Sequence, residues 1–290
     1  PEVHLPRPGH ADLVGAWKYG TTDIRDILER ASARETAARV AGGALCRQFL
    51  EAMGVTVRSH VVRIGTVAAP PRLEALTAGD FDGVDDDPVR CLDAETSAQM
   101  VEHINFQRKA NESIGGTFEV VVFGLVPGVG SHVSWQTRLD GQIAGAICSI
   151  QAVKGASLGD GWDLPARPGS EAHDEIFYSE ERGYYRETNR AGGLEGGMTT
   201  GEPLIAQGAM KPLPTLTKPL RSVDISTREP AEALRERTDS CTVPAAGVVA
   251  EAMVAFVLAG AYREKFGGDH IDDARAALVS YCERIAWTRR

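Results

Sequence analysis

Residues 24–66 read IRDILERASARETAARVAGGALCRQFLEAMGVTVRSHVVRIGT, and the change of period inside this stretch decides the fold class. Ile27, Leu28, Ala31, Ala38, Leu45, Phe49 and Leu50 recur at helical spacing, so one helix is expected from Ile24 to Met53, with Gly54 as its stop signal. The run from Val55 to Thr66 follows at once, rich in valine, and reads as a strand. A helix feeding directly into a strand places the chain among mixed folds.

The same alternation continues outward. Cys91 to Asn111 reads as a helix, Gly116 to Leu125 as an apolar strand, Leu139 to Val153 as a small-residue helix, and Pro203 to Met210 as a strand. Ala245 to Phe266 reads as a helix closed by Gly267 and Gly268. No linker interrupts the pattern, so residues 1–290 are expected to form a single α/β or α+β domain, with parallel or antiparallel pairing left open. Two stretches lack a period. Ala68 to Asp93 is rich in Pro, Gly and Asp and reads as a loop, and Lys154 to Arg190 reads as a long functional loop. Helix ends at Met53-Gly54, Lys154-Gly155 and Phe266-Gly267 suggest either a weak internal repeat or ordinary stopping by glycine.

Composition narrows the function classes. The 290 residues carry 31 basic and 40 acidic side chains, a net charge of −9, which excludes nucleic-acid binding through bulk positive charge. A chain that is 43% hydrophobic can build a core. Its five cysteines include no redox or zinc spacing; Cys46, Cys148 and Cys241 sit among apolar neighbours and are expected to be buried, reduced thiols, which points to a reducing, cytoplasmic compartment. The most apolar stretch, Val243 to Tyr262, contains Pro244 and Glu251 and reads as a core helix rather than a membrane span. The sequence opens at Pro1, without a methionine, and is expected to be part of a longer protein.

Several clusters could carry chemistry. From Arg25 to Arg47 there are five arginines and no lysine, the residue type that grips phosphate or carboxylate in bidentate fashion. On one helix Arg30 and Arg34 would repel each other, with Asp26 and Glu35 available to pair with Arg30 and Arg39, so the stretch reads as a solvated ion-paired face or as an anion site beside small Ser32, Ala33 and Ala37. Arg7-Pro8-Gly9-His10-Ala11-Asp12 places an imidazole on a turn beside an arginine, where a neighbouring bound anion would make it a usable proton donor. Lys211-Pro212-Leu213-Pro214-Thr215 is a stiffened loop with one cation and one hydroxyl, and Arg237-Thr238-Asp239 precedes a helix start that favours anions.

Other motifs are absent or bland. The glycines of Ala191 to Met198 lack the dinucleotide spacing, although they permit close backbone approach, and no Walker loop or nucleophile elbow occurs. Asp82, Asp85, Asp86 and Asp87 lack the register of a calcium loop, and no histidine spacing suits a metal. His173-Asp174-Glu175 reads as a structural hydrogen-bonding group.

Taken together, the blocks Arg7 to Asp12, Lys18 to Gly20, Glu29 to Val40, Gln151 to Gly155, His173 to Glu175, Thr188 to Met198, Lys211 to Thr215 and Arg237 to Gly247 resemble, in order, the signature segments of the chorismate synthase family. The resemblance implies a β-α-β-α sandwich with a non-Rossmann flavin site, assembled as a homotetramer. It also implies a lyase of aromatic amino acid biosynthesis that eliminates phosphate and a proton from 5-enolpyruvylshikimate 3-phosphate in the anti-1,4 sense, giving chorismate. Reduced FMN is required, with no net redox change. Whether NADPH serves as reductant directly or an external flavin reductase supplies the reduced flavin stays open.

By the same resemblance, His10 and Asp239 are the catalytic candidates, His10 protonating the reduced flavin and Asp239 assisting proton removal. Ser32, Ala33, Arg34, Gln151, Ala152, Gly196, Lys211, Pro212, Leu213, Pro214, Thr215 and Arg237 fall where the family binds FMN. Arg7, His10, Arg34 and Arg237 are candidates for the substrate's phosphate and carboxylates. Two departures stand out. Thr238 replaces the family's usual serine, and the family's first block, a Gly-Glu-Ser-His segment with a second histidine and an arginine-rich loop, has no counterpart, so the sequence is expected to cover about three quarters of a family member. That gap motivates one alternative, a non-catalytic flavin- or anion-binding homologue or an inactive fragment.

Overall fold

A computed structural model describes residues 2–71 and 75–287. The expected loop from Ala68 to Asp93 therefore lies partly outside the described residues. Its edge begins with a short strand, β2, and its second half forms two 3-10 turns, Ala78–Phe81 and Val84–Asp86.

The central sheet has five strands in the order β2-β1-β3-β9-β4, where β1 is Thr56–Ile64, β2 Val67–Ala68, β3 Gly116–Phe123, β4 Val153–Leu158 and β9 Leu204–Met210. Every pairing in it is antiparallel, which settles the question left open by the sequence in favour of α+β. Alternation places Val57, Phe118, Val120 and Val122 on one face, and the long helix α7, Val243–Phe266, covers that face with buried Val254, Ala255 and Leu258. Helix α3, Thr36–Ala52, packs on α7, and α5, Leu139–Cys148, packs beside it against β4. The approach of α3 to α7 is close because Gly43 carries no side chain: a Cβ there would lie 2.3 Å from that of Ala252. The resulting layers of sheet and helix are those of the expected sandwich.

The opposite face carries His60, Glu119 and Gln207 in one cross-strand row, under Phe81 and Val84. The other elements are α1 (Asp12–Tyr19), α2 (Arg25–Arg30), α4 (Ala94–Lys109), α6 (Gly169–Ala172), α8 (Ile271–Arg284) and three two-stranded pairs. These pairs are β5 (Phe177–Ser179) with β6 (Gly183–Tyr185), β7 (Leu194–Glu195) with β8 (Met198–Thr199), and β10 (Arg221–Val223) with β11 (Pro230–Glu232).

Four expectations need correction. The helix from Ile24 to Met53 breaks at Ser32, whose extended backbone and side chain, accepting from Arg34 N–H at 3.3 Å, start a separate 3-10 turn over Ala33–Glu35. Arg30 and Arg34 therefore do not share one helical face, and the ion pairs formed are Arg25–Glu29 at 3.8 Å, Arg34–Glu29 at 3.4 Å and Arg39–Glu35 at 2.7 Å. The helix from Leu139 ends at Cys148, so Lys154-Gly155 lies inside β4 and is not a helix stop, which removes the suggested repeat. Lys154 to Arg190 is not one loop, since it contains most of β4, a 3-10 turn, α6, β5 and β6. Of the five cysteines only Cys91 is buried; Cys148 is exposed because it closes α5 on the solvent side, and Cys46 and Cys241 are half-buried. Helix α8 went unread from the sequence. Among the described residues only α7 is long and apolar enough to cross a membrane, and most of it is buried within the fold.

Candidate active site

A cavity of about 900 Å³ opens between the turn at Gly9 and His10, the Ser32–Thr36 turn, the Ile150–Ala152 turn, the loop after β9, the 236–239 segment and the first turns of α7. Leu28, Ile150, Leu213, Pro214, Ala246 and Val249 give it an apolar wall. Arg7, Arg34, Lys211 and Arg237 supply cations, and His10 and Asp239 the titratable groups. Residues more than 230 positions apart in the chain are thus brought together, and of the candidates only Gly196 and Pro212 are not wall residues. Pro212 sits between Lys211 and Leu213, which are. Gly196 lies outside: with Gly197 it makes the two-residue turn of the β7–β8 hairpin, both at positive φ, 58° and 83°, as such turns require.

One corner is rigid. Asp12, the first residue of α1, is fully buried and receives Arg7 Nε at 2.9 Å and Arg7 backbone N–H at 3.0 Å on one oxygen. Its other oxygen lies 2.5 Å from His10 Nδ1. Burial by itself would raise the Asp12 pKa, but the hydrogen bonds from His10 and Arg7 outweigh it and hold the carboxyl well below the usual carboxylate range. Its place in the first turn of a helix favours the same ionised form. Arg7 is only 6% exposed and reaches on to Thr215 Oγ1 at 3.0 Å and Glu236 at 3.5 Å. Much of its charge is therefore already matched.

The wall formed by the Ser32–Thr36 and Ile150–Ala152 turns is bolted together by Glu35, which accepts from both Arg39 and Gln151. Those two bonds hold the Glu35 carboxyl below its ordinary range. Ala152 adopts φ +65°, a left-handed conformation that costs a non-glycine residue about 1–2 kcal/mol, and its carbonyl accepts from Lys211 N–H at 3.0 Å. Such strain beside a cavity is a mark of a constrained site. The Gln151 side-chain Oε1 is buried and has no hydrogen-bond partner among the described residues. Lys211 Nζ donates to the carbonyl of Gly9, which fastens the cation loop to the histidine turn.

The opposite rim is open. Arg34 is 85% exposed and lies 3.4 Å from Glu29. Arg237 and Asp239 are exposed, and Thr238 turns its hydroxyl to the Asp239 carbonyl at 3.1 Å, so the threonine retains a hydrogen-bonding role. A second cavity of about 400 Å³ shares Thr215, Thr238 and Asp239 with the first. The glycines at 192 and 193 serve close packing: a Cβ on Gly192 would come within 2.3 Å of Gly159 N. Asp174, as read from the sequence, is structural, accepting from Thr188 and from the N–H groups of Arg190 and Ala191. Among the described residues no group of histidine, cysteine and acidic side chains could hold a metal ion.

Sequence reasoning did not single out Asp12, Glu35 or Glu236 as members of the site. Asp12 carried a signal, a carboxylate two residues after a histidine; Glu35 was read only as an ion-pair partner for Arg39, and Glu236 carried none.

Comparison with known proteins places nearly the whole chain beside one family. The family profile described as chorismate synthase matches residues 2–262. Chorismate synthase of Salinispora tropica is 54% identical over 97% of this chain and 71% of its own length, and that of Acidothermus cellulolyticus 55% identical over the same shares. A crystal structure of chorismate synthase superposes with a TM-score of 0.82 at 39% identity, covering 95% of this chain and 76% of the other.

Proposed function

The chain belongs to the chorismate synthase family and has that family's lyase function, and from that premise we propose that the cavity binds FMN together with 5-enolpyruvylshikimate 3-phosphate and that His10 and Asp239 handle the protons. The observation that carries the proposal is the convergence of both titratable groups and four cations on one half-apolar cavity. An acidic protein binds two polyanions only through such local positive charge.

The residues suit a flavin. The apolar wall fits a flat aromatic ring, and the unpartnered buried carbonyl of Gln151 fits a ring N–H. Ser32, Ala33, Arg34, Gln151, Ala152, Lys211 to Thr215 and Arg237 would hold it. When bound in its reduced form, the flavin supplies an electron that is lent and recovered, so the reaction has no net redox change. Gly196 would belong to this set only if a surface outside the described cavity takes part.

The reaction breaks a C–H and a C–O bond and releases phosphate. Asp239 takes up a proton on its carboxylate, at the open rim from which bound ligands exclude water. His10 holds and releases a proton on its ring, at the buried corner. Arg237 and Arg34 bind phosphate and carboxylate groups by charge-assisted hydrogen bonds, which orient the substrate and stabilise the departing anion. Arg7, matched by Asp12, has less left to give and shapes the corner. The enzyme is a single domain, works in the cytoplasm as a homotetramer, and its FMN is reduced either by NADPH on the enzyme or by a separate flavin reductase.

The test is anaerobic chorismate formation from 5-enolpyruvylshikimate 3-phosphate with chemically reduced FMN, and oxidised FMN as control. Turnover with reduced FMN alone is expected; equal turnover with both, or none with either, overturns the flavin assignment.

A further inference from the structure

His10 has two ring nitrogens, and which of them exchanges a proton depends on what holds the other. Nδ1 lies 2.5 Å from Asp12 Oδ1. A carboxylate that already accepts two N–H groups of Arg7 is an acceptor only, and at that distance two facing lone pairs would repel. The proton between them must therefore sit on Nδ1. Arg7 Nη2, 3.2 Å from Nδ1 and 3.3 Å from Asp12 Oδ1, carries two hydrogens; one goes to the carboxylate, and a protonated Nδ1 has no lone pair to accept the other. Nε2 is left as the exchangeable nitrogen; its one neighbour among the described hydrogen-bonding contacts is the same Arg7 Nη2, at 3.5 Å.

We propose that Asp12 is a positioning residue for the reaction. It fixes His10 in the tautomer protonated at Nδ1, so that Nε2 is the atom that gives and regains a proton in the cavity. The proposal deepens the reading of His10 as a proton donor and rests on it. Three features besides the distance support it. Asp12 is fully buried, so water does not compete for its oxygens. Its backbone position is set by α1, a regular helix from its first residue. Its second oxygen is pinned twice by Arg7, which denies the carboxylate any rotation that would free the ring. The charged groups facing the imidazole are Asp12 and Arg7 from its own segment, Lys211, whose Nζ lies on the Gly9 carbonyl, and Glu236, which pairs with Arg7 at 3.5 Å. None of these but Asp12 is given a bond to a ring nitrogen that it can accept.

The experiment has two arms. In the first, the chain labelled with 15N-histidine, assigned by loss of one ring signal in His10→Gln, is recorded at a pH where the ring is neutral. A protonated Nδ1 and bare Nε2 are expected, whereas an Nε2-protonated ring overturns the proposal whether or not the chain turns over. In the second, Asp12→Asn, His10→Gln and the double variant are assayed with reduced FMN. The amide can donate to Nδ1 and so reverse the tautomer, and turnover in Asp12→Asn is expected to fall about 10²-fold or more with KM little changed. If Asp12 acts through His10, the double variant is no slower than His10→Gln; losses that multiply mean a structural role and overturn the proposal. Failure of the wild-type chain to turn over defeats the reading of His10 instead, and the ring signal still decides the tautomer.

Discussion

Two networks in this molecule bury a carboxylate beneath arginine, and they do opposite work. At the cavity, Asp12 is held by Arg7 and touches a histidine that is a wall residue of that cavity. Behind it, between α3, α7 and β1, Glu251 accepts from Arg47 at 2.7 Å, Ser59 at 2.7 Å and Arg90 at 3.0 Å. Arg90 pays for its reach with φ +58° and also donates to the Ser59 carbonyl. Both carboxylates are buried and multiply hydrogen-bonded. What separates them is the neighbour: the first contains a titratable ring that lines the cavity, whereas no member of the second lines it. Buried ion pairs are thus poor guides to function until their surroundings are known.

The largest effect should come from the cavity itself. His10→Gln and Asp239→Asn are each expected to lower turnover about 10²- to 10⁴-fold with the thermal midpoint nearly unchanged, measured by anaerobic chorismate formation and calorimetry. A variant that melts early but turns over normally would erase the distinction between the two networks.

Glu251→Ala makes the converse prediction. It leaves Arg47 and Arg90 facing one another without their shared carboxylate, a situation that costs about 3–5 kcal/mol. Urea unfolding should register that loss, while turnover per folded molecule stays close to wild type. Loss of turnover at full stability would instead make this network part of the site.

The open rim should show a smaller effect. Arg237→Ala is expected to weaken substrate binding about 10- to 100-fold, read as a raised KM, because a charge-assisted hydrogen bond contributes roughly 1.5–3 kcal/mol. Arg34→Ala should cost less, since that guanidinium is 85% exposed and already near Glu29.

The smallest effect is on acid stability. The Asp12 pKa is lower folded than unfolded, so its contribution is complete above the ordinary aspartate value and is lost as pH falls through the folded one. Asp12→Asn should flatten the acid side of the stability profile relative to wild type, as followed by thermal melting below pH 4. An unchanged slope would mean that the carboxylate is not ionised when folded.

Much of this was legible from residue order alone. The apolar period located β1, β3, β9, α4 and α7 to within a few residues, because each buries a face and the pattern records it. Ser32 defeated the same reasoning: one capping side chain splits what the apolar spacing presents as a continuous helix. Helix α8 escaped for a different reason, since Ile271–Arg284 buries only Ala274 and Leu278 and leaves a weak stripe. Within the site, the arginines, His10 and Asp239 could be named from motifs. Gly196 was named by the same route and is an exposed hairpin residue that does not line the cavity. The parts that needed coordinates are contacts across the chain, such as Glu35 with Gln151 and Arg7 with Thr215, 208 residues apart. No local pattern encodes a partner at that separation.

The most direct test of the account is a crystal structure of this chain with FMN and 5-enolpyruvylshikimate 3-phosphate bound. The flavin ring is expected against Gln151, Ala152 and the Lys211 to Thr215 loop, with substrate phosphate or carboxylate on Arg237 and both His10 and Asp239 beside the bound pair. Density for either ligand away from this cavity, or a cavity filled by neither at saturating concentration, would contradict it.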